Sequence, residues 1–352
     1  MFEKIIHIEQ LIHSIKTAIA CTIGFFLTFF VASMFNIPIN PWIVISIIVV
    51  MCAQIYVGSM VQKAYFRFLG TFVGCLFAMF ALVLFGHSHL ILATTIGLSS
   101  FLFSYLAVTQ ENLTYAGTLG AATTAIILLN PNPTLLLATQ RFLEISAGIL
   151  IAALISQFVL PIHARTHLRR IQANTLEQLS NYFIACALIH EAENPIQQHE
   201  ELDETIIKSL SKQRQLAKEA KREPLGDIFD PIHFIQSLQC EKEMLRAISF
   251  MHHALTSMGQ SKNIIAPAMH LFGKTILSSL KILTTVIREG KASEFSIPLS
   301  PIKILKKEIE KNYTSFSQEE KICVDSLLFA AETLMSHLTC LASLHHIPLM
   351  ES

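Results

Sequence analysis

The chain has 352 residues, of which 52% are hydrophobic and only 15% charged, with 26 basic and 26 acidic side chains. Soluble proteins carry about 25% charged residues, so composition excludes an ordinary water-soluble globule, and zero net charge leaves no basic footprint for nucleic acid. The charges are also unevenly placed. Before Pro161 only Glu3, Lys4, Glu9, Lys16, Lys63, Arg67, Glu111, Arg141 and Glu144 are charged, so two solvents are written into one sequence.

A bilayer core about 30 Å thick needs about 20 apolar residues per helix. Six runs qualify: Ile15–Phe35, Trp42–Val61, Phe68–Phe85, Leu90–Val108, Leu113–Leu129 and Phe142–Leu160. The first is too long for the apolar region of a signal peptide and no small-residue cleavage site follows it, so it reads as a retained span. Turn chemistry parts the runs: Asn36 to Pro41, Gly86 to His89, Gln110 to Asn112 and Asn130 to Pro133. These runs are too long and continuous for β-barrel strands. Six crossings put both termini on one side, together with Lys4, Lys16, Lys63, Arg67, Arg165, Arg169 and Arg170, while Arg141 falls near the other. Positive residues concentrate in the cytoplasm, so the expectation is an inner-membrane protein with both termini cytoplasmic.

After Pro161 the pattern becomes amphipathic. Three stripes recur at helical spacing: Leu168, Ile171, Thr175, Leu179, Tyr182, Cys186 and Ile189; then Phe234, Leu238, Leu245, Ile248, His252 and Leu255, interrupted by Glu241; then Val324, Leu327, Ala331, Leu334, Leu338 and Leu341. Such spacing puts apolar groups on one face of each helix. Pro195, Pro224 with Gly226, Pro231, Pro267, Gly290, and Pro298 with Pro301 divide this half into about six helices. The predicted fold is all-α: a six-helix transmembrane domain over residues 1–161, then a cytoplasmic helical bundle over 162–352.

Catalytic signatures are missing. No Walker loop, GxGxxG or GxSxG occurs, so neither an enzyme nor direct ATP hydrolysis is expected, and no cofactor. The seven cysteines have no CxxC spacing and read as reduced packing residues. His252-His253 and His345-His346 are adjacent pairs. Neighbours on a helix point about 100° apart and do not converge on one metal ion, so no metal is expected.

Ionisable groups inside a span are expensive and face a bundle interior or water. Arg141 and Glu144, at i and i+3, share a helix face. Two readings stand: Arg141 grips an anionic solute with Glu144 holding its side chain, or it snorkels to headgroups. Arg67 opens the third run and reads first as an interfacial anchor, with Gln54 and Thr71 as further polar groups for a pathway. Gly70 and Gly74, and Gly117 and Gly120, form small faces that let helices pack closely; a pathway lining is the other reading.

The run Arg67-Phe-Leu-Gly70-Thr71-Phe-Val-Gly74 resembles the R-x-x-G-T-x-x-G segment of the fusaric acid resistance and aromatic acid exporter families. So does Arg141-Phe-Leu-Glu144-Ile-Ser-Ala-Gly148, in a span ending at Pro161; Lys16 to Ala20 is similar to their opening helix, and Tyr115 to Leu128 to their fifth. The resemblance covers Lys16 to about Pro161, with Lys16 standing where relatives commonly have arginine. It implies an exporter of organic anions, aromatic carboxylates in particular. It also implies a homodimer of six-helix units and a possible periplasmic adaptor protein. The aluminium-activated malate transporters are similar in layout, which keeps a passive anion channel as an alternative. A membrane-anchored scaffold without transport is the third reading.

Overall fold

The computed structural model describes residues 2–36, 38–52, 55–85, 88–110, 113–188, 195–223, 229–290 and 296–350, with side chains described except at 2–7, 85, 188, 195–199 and 260. Gln54, Gly86, His87, Glu111, Asn112, Ile189, Pro224 and Gly226, all used in the sequence reading, lie outside the described residues. The chain divides into two compact units, Met1–Ala164 with Arg222–Gly226, and Arg165–Lys221 with Asp227–Ser352.

The first unit holds six apolar helices: α1 (Phe2–Phe35), α2 (Trp42–Met51), α3 (Val57–Phe85), α4 (His89–Thr109), α5 (Thr114–Leu128) and α6 (Leu135–Phe158). Four of them, α1, α3, α4 and α6, are long and apolar enough to cross a bilayer, while α2 and α5 are shorter. The protein is therefore an all-α, multi-pass membrane protein. Exposed side chains of α1 and α4, such as Phe26, Phe30, Phe101 and Leu98, are apolar, as lipid contact requires.

Helix limits differ widely from the hydropathy runs in four places. The first helix begins at Phe2 rather than Ile15. The second run does not form one helix to Val61: α2 stops at Met51, where Cys52 turns out of the helix with ψ 134°. The third helix begins at Val57 rather than Phe68, and the sixth at Leu135 rather than Phe142. A hydropathy window finds the apolar centre of a helix, whereas Gln62, Lys63, Ala64 and Thr139 extend it because they are compatible with helical backbone. Arg67 thus lies about 15 Å along α3, and Arg141 about 9 Å along α6, at a rise of about 1.5 Å per residue.

Small residues set the packing in this unit. A methyl at Gly70 would strike the Ala116 carbonyl, and one at Gly74 would stand 2.5 Å from the Gly120 oxygen, so α3 and α5 touch backbone to backbone. Thr124 of α5 completes the seam by donating to the Gly74 carbonyl at 3.0 Å. Gly117 lies against the Phe103 carbonyl of α4 in the same way. Lipid gives no hydrophobic drive for helix pairing, so close approach and interhelical hydrogen bonds supply it. Two apolar clusters fill the rest. One joins Ala20, Ile47, Met60 and Ile149; the other joins Ala78, Leu92, Ile127 and Ala138.

The second unit is built from α7 (Ala164–Phe183, prolonged by a π turn at Ile184–Leu188), α8 (Pro195–Lys221), α9 (Pro231–Ser257), α10 (Lys262–Glu289), α11 (Ser300–Asn312) and α12 (Gln318–Leu344). A short parallel pair, β1 (Ile297–Pro298) and β2 (Leu349–Met350), ties the end of the chain. Starts and stops follow local chemistry. Asp230 caps α9 by accepting from the Ile232 and His233 amides, with Pro231 at the first helical position. Ser317 and Glu320 form a reciprocal capping box on α12. Gly290, at φ 68°, closes α10. Pro267 is not a boundary: α10 begins at Lys262 and runs through it. It stands close to the helix start, where few turns precede its ring.

The core of this unit takes in the three stripes, together with a stripe of α10 that runs through Ile265, Phe272, Ile276, Leu280 and Leu283. Leu168, Ile171, Leu179 and Tyr182 of α7, Leu238, Leu245 and Ile248 of α9, and Leu327, Leu334, Leu338 and Leu341 of α12 are all buried. Each contributes about 1.5–3 kcal/mol of burial. By length and composition α12 could also span a bilayer. Its apolar stripe is already buried within the unit, however, and Glu332 on another face pairs with Lys306 at 3.3 Å in an exposed position. An exposed charge pair mid-helix suits water rather than lipid.

Candidate functional site

Among the described residues of the membrane unit, two clusters of ionisable groups stand out. The first joins the α1–α2 connection to α6. Arg141 donates from Nη1 to Glu144 Oε2 at 3.3 Å, and its guanidinium stacks 4.7 Å from the centre of the Trp42 ring. Asn40 donates to the other Glu144 oxygen at 2.8 Å. The two charged side chains are 13% and 15% exposed, so neither reaches freely outward as a snorkelling residue would. Arg141 and Glu144 neutralise each other, and both Glu144 oxygens are engaged.

The second cluster surrounds the end of α2. With 10 residues α2 is about 15 Å long, half a bilayer core. Irregular backbone at such depth is tolerated only where protein groups satisfy it. Here three partners do so. His13 of α1 bonds the Met51 carbonyl at 3.1 Å, Lys63 of α3 donates to the Cys52 carbonyl at 3.2 Å, and the Val57 amide donates to Ile162 at 3.2 Å. Lys16, one turn from His13 and fully buried, donates to the Ser156 and Leu160 carbonyls at 3.1 and 3.3 Å. A cation there complements the negative end of α6.

Arg67 belongs to this second cluster. It is 4% exposed and donates from Nη2 to the Ser46 hydroxyl of α2 at 3.3 Å. Its Nε is buried without a partner. Tyr115 of α5 stands beside it, and the same ring lies 5.5 Å from Lys63 Nζ. Among the described residues no carboxylate pairs with Arg67, Lys16 or Lys63. The interfacial reading of Arg67 is therefore corrected: it lies inside the unit because α3 starts well before it. Thr71, one turn further on the same face, is 2% exposed. Gln54 falls between α2 and α3, outside the described residues.

Sequence reading missed Lys16, His13, Ser46 and Tyr115 as members of one site. The usable signal was a set of isolated polar residues in otherwise apolar runs, each one expensive unless satisfied. Their convergence is tertiary and no spacing rule reports it.

The second unit also buries polar groups. Glu241 of α9 is fully buried and accepts from Gln213 Nε2 at 2.6 Å, while Gln213 also donates to Thr175 at 2.8 Å and Thr175 meets Ser209 at 2.6 Å. Burial raises the Glu241 carboxyl to about 8, against the hydrogen bond from Gln213, which acts to lower it. It is thus a neutral acid at neutral pH and suits a structural link between α7, α8 and α9. Among the described residues no three His, Cys, Asp or Glu side chains gather as a metal ion would need.

A model of the fusaric acid resistance protein family matches residues 10–226, a stretch that takes in both clusters. Inner membrane protein YeeA of Escherichia coli (strain K12) is 27% identical over 174 residues, which are 49% of this chain and 47% of that protein. This chain thus matches about half the length of that relative.

Proposed function

We propose that this chain, which belongs to the fusaric acid resistance protein family, carries small organic anions, aromatic carboxylates above all, out through its membrane unit. Arg67 is the observation that supports this reading. A guanidinium stays protonated at any physiological pH, and in this place its neighbours are the Ser46 and Tyr115 hydroxyls, its Nε is unbonded, and no carboxylate among the described residues neutralises it. A buried cation without a counter-charge is strongly unfavourable. A carboxylate arriving from the aqueous phase supplies that partner and accepts two parallel hydrogen bonds. Lys63 and Tyr115 beside it add positive charge and an aromatic face. Arg141, already paired with Glu144, serves as a second, weaker station.

The driving force follows from the same residues. Glu144 is tied on both oxygens, which disfavours it as a proton relay. Export then runs on the anion's own electrical gradient, about 2.3 kcal/mol per charge per 100 mV, inside negative. This observation also favours the second reading, a passive anion channel. Arg165, Arg169 and Arg170, directly after the last apolar helix, support cytoplasmic termini. A homodimer is proposed from the six-helix size of the unit, with chemical cross-linking in native membranes as its check.

The test is efflux of 4-hydroxybenzoate from proteoliposomes under a fixed membrane potential. Arg67→Gln should lower flux at least tenfold and Arg67→Lys should keep part of it. Collapsing the pH gradient while holding the potential should leave flux unchanged. Wild-type flux in Arg67→Gln at equal abundance would overturn the reading. Discrete single-channel currents in planar bilayers would select the channel.

A further inference from the structure

The second unit contains a cavity of about 430 Å³ that the transport reading does not use. This is the size of a site for a small organic molecule. Its walls come from distant parts of the chain: the start of α7, the start of α9, the end of α10 and the turn after α12. All of them belong to one compact unit.

The lining has two characters. One wall is cationic. Arg165 and Arg169, one helical turn apart on α7, face the same cavity. Arg165 is steadied by the Ala220 carbonyl, to which its Nε and Nη2 donate at 3.4 Å. Arg169 lies across Gly290, with its Nη1 2.6 Å from where a methyl on that residue would stand. The other wall is apolar, with Leu168, Phe234 and Ile287 buried in it and Phe229 and Leu344 partly so.

Between the walls stand polar groups, His233 and His345 foremost. His233 bonds the Leu344 carbonyl at 2.9 Å and meets the His345 ring edge-on, centroids 5.1 Å apart. Burial, with His233 and His346 beside it, holds His345 down to about 4, so its ring is neutral at physiological pH. Its Nε2 is buried without a partner. Among the described residues Asp230 is the one carboxylate in the lining, and its Oδ1 accepts from the Ile232 and His233 amides at 2.8 and 3.2 Å, at the positive end of α9. Next to the cavity, His346 holds φ 55°, a left-handed conformation that a non-glycine residue keeps only when its surroundings impose it.

We propose that this cavity is a binding site for a small amphipathic organic anion, its carboxylate on Arg165 and Arg169 and its apolar body against Phe229, Phe234 and Leu344. Two arginines one turn apart match a carboxylate, and the apolar wall rejects inorganic anions, which have no body to bury. The site is separate from Arg67, and its test reads binding rather than flux, so the two proposals can fail independently.

The experiment uses the full-length protein in detergent micelles with Phe229→Trp as a reporter. Native Trp42, the single tryptophan, lies in the other unit, so the wild type supplies the baseline. Benzoate, benzamide and inorganic phosphate are titrated in parallel. Benzoate should change the reporter's fluorescence saturably, with no such change in the wild type. Benzamide and phosphate should each bind at least tenfold more weakly. Adding Arg165→Gln or Arg169→Gln should weaken benzoate at least tenfold, and Arg169→Lys should restore part of it. No saturable change, equal binding of benzamide or phosphate, or undiminished affinity in folded glutamine variants would each overturn the proposal. If the glutamine variants fail to fold by circular dichroism, selectivity among the three probes decides.

Discussion

Arg67 and Glu241 are each buried beside uncharged hydrogen-bonding neighbours, serine and tyrosine hydroxyls in the membrane unit and a glutamine amide in the other. Their chemistry then parts. A carboxyl can hold a proton and enter an apolar interior uncharged, and burial makes Glu241 do so, raising it to about 8. A guanidinium has no such escape. The second unit therefore holds its buried acid uncharged, while the membrane unit keeps a buried charge that, on the transport proposal, an arriving anion would complete. This difference separates a structural polar link from a binding site more clearly than burial does.

The largest test of that comparison is pH. The folded Glu241 keeps its proton up to about 8, while the unfolded chain releases it near 4.3. Between those values the unfolded state binds fewer protons, so stability falls as pH rises, by up to about 1.4 kcal/mol per unit. The contribution is fully present below the unfolded value and gone above about 8. Glu241→Gln keeps a partner for Gln213 and removes the titration. Melting temperatures from pH 5 to 8 should decline in the wild type and flatten in the variant. Parallel declines in both would mean that Glu241 is charged in the fold, and the contrast with Arg67 would be lost.

The sequence made one side of this contrast easier to read than the other. The stripes of α7, α9 and α12 repeat at helical spacing, and Glu241 stands out as the acid interrupting one of them. Their burial follows from amphipathicity, a local property. The end of α2 had no such sign. Hydropathy stays high through Val50, Met51 and Cys52, and neither proline nor glycine marks the stop. What permits it is His13 and Lys63 bonding the freed carbonyls from two other helices. Arg67 was misplaced for a related reason. Its apolar run starts at Phe68, but the helix starts at Val57, and that difference carries the residue from an interface to the interior. Arg141 with Glu144 was legible as a pair, while Asn40 and Trp42, which hold it, come from a distant segment.

A second test compares the two arginines of the membrane unit. Arg141→Met removes the partner of Glu144 and leaves its charge to Asn40 alone. The expected loss is about 2 kcal/mol, below the ~3–5 of a fully buried pair. Arg67→Met removes a buried charge that no carboxylate among the described residues neutralises, so stability in micelles should hold or rise while flux, on the transport proposal, disappears. Equal destabilisation of the two variants would make Arg67 a structural residue and withdraw its role in transport.

The smallest effect separates the two contacts of Arg141. Stacking on Trp42, 4.7 Å away, contributes about 0.5–1 kcal/mol at a partly exposed site. Trp42→Leu keeps an apolar side chain at the start of α2 and leaves the bond to Glu144 intact. Melting should therefore fall by less than half of the Arg141→Met loss, and flux should be little changed. A loss as large as that of Arg141→Met would mean that the ring, rather than the carboxylate, fixes the guanidinium. Arg141 would then keep its charge available beside an under-used Glu144. The two arginines would be alike as anion stations, and the pathway would have two open cationic sites instead of one open and one closed.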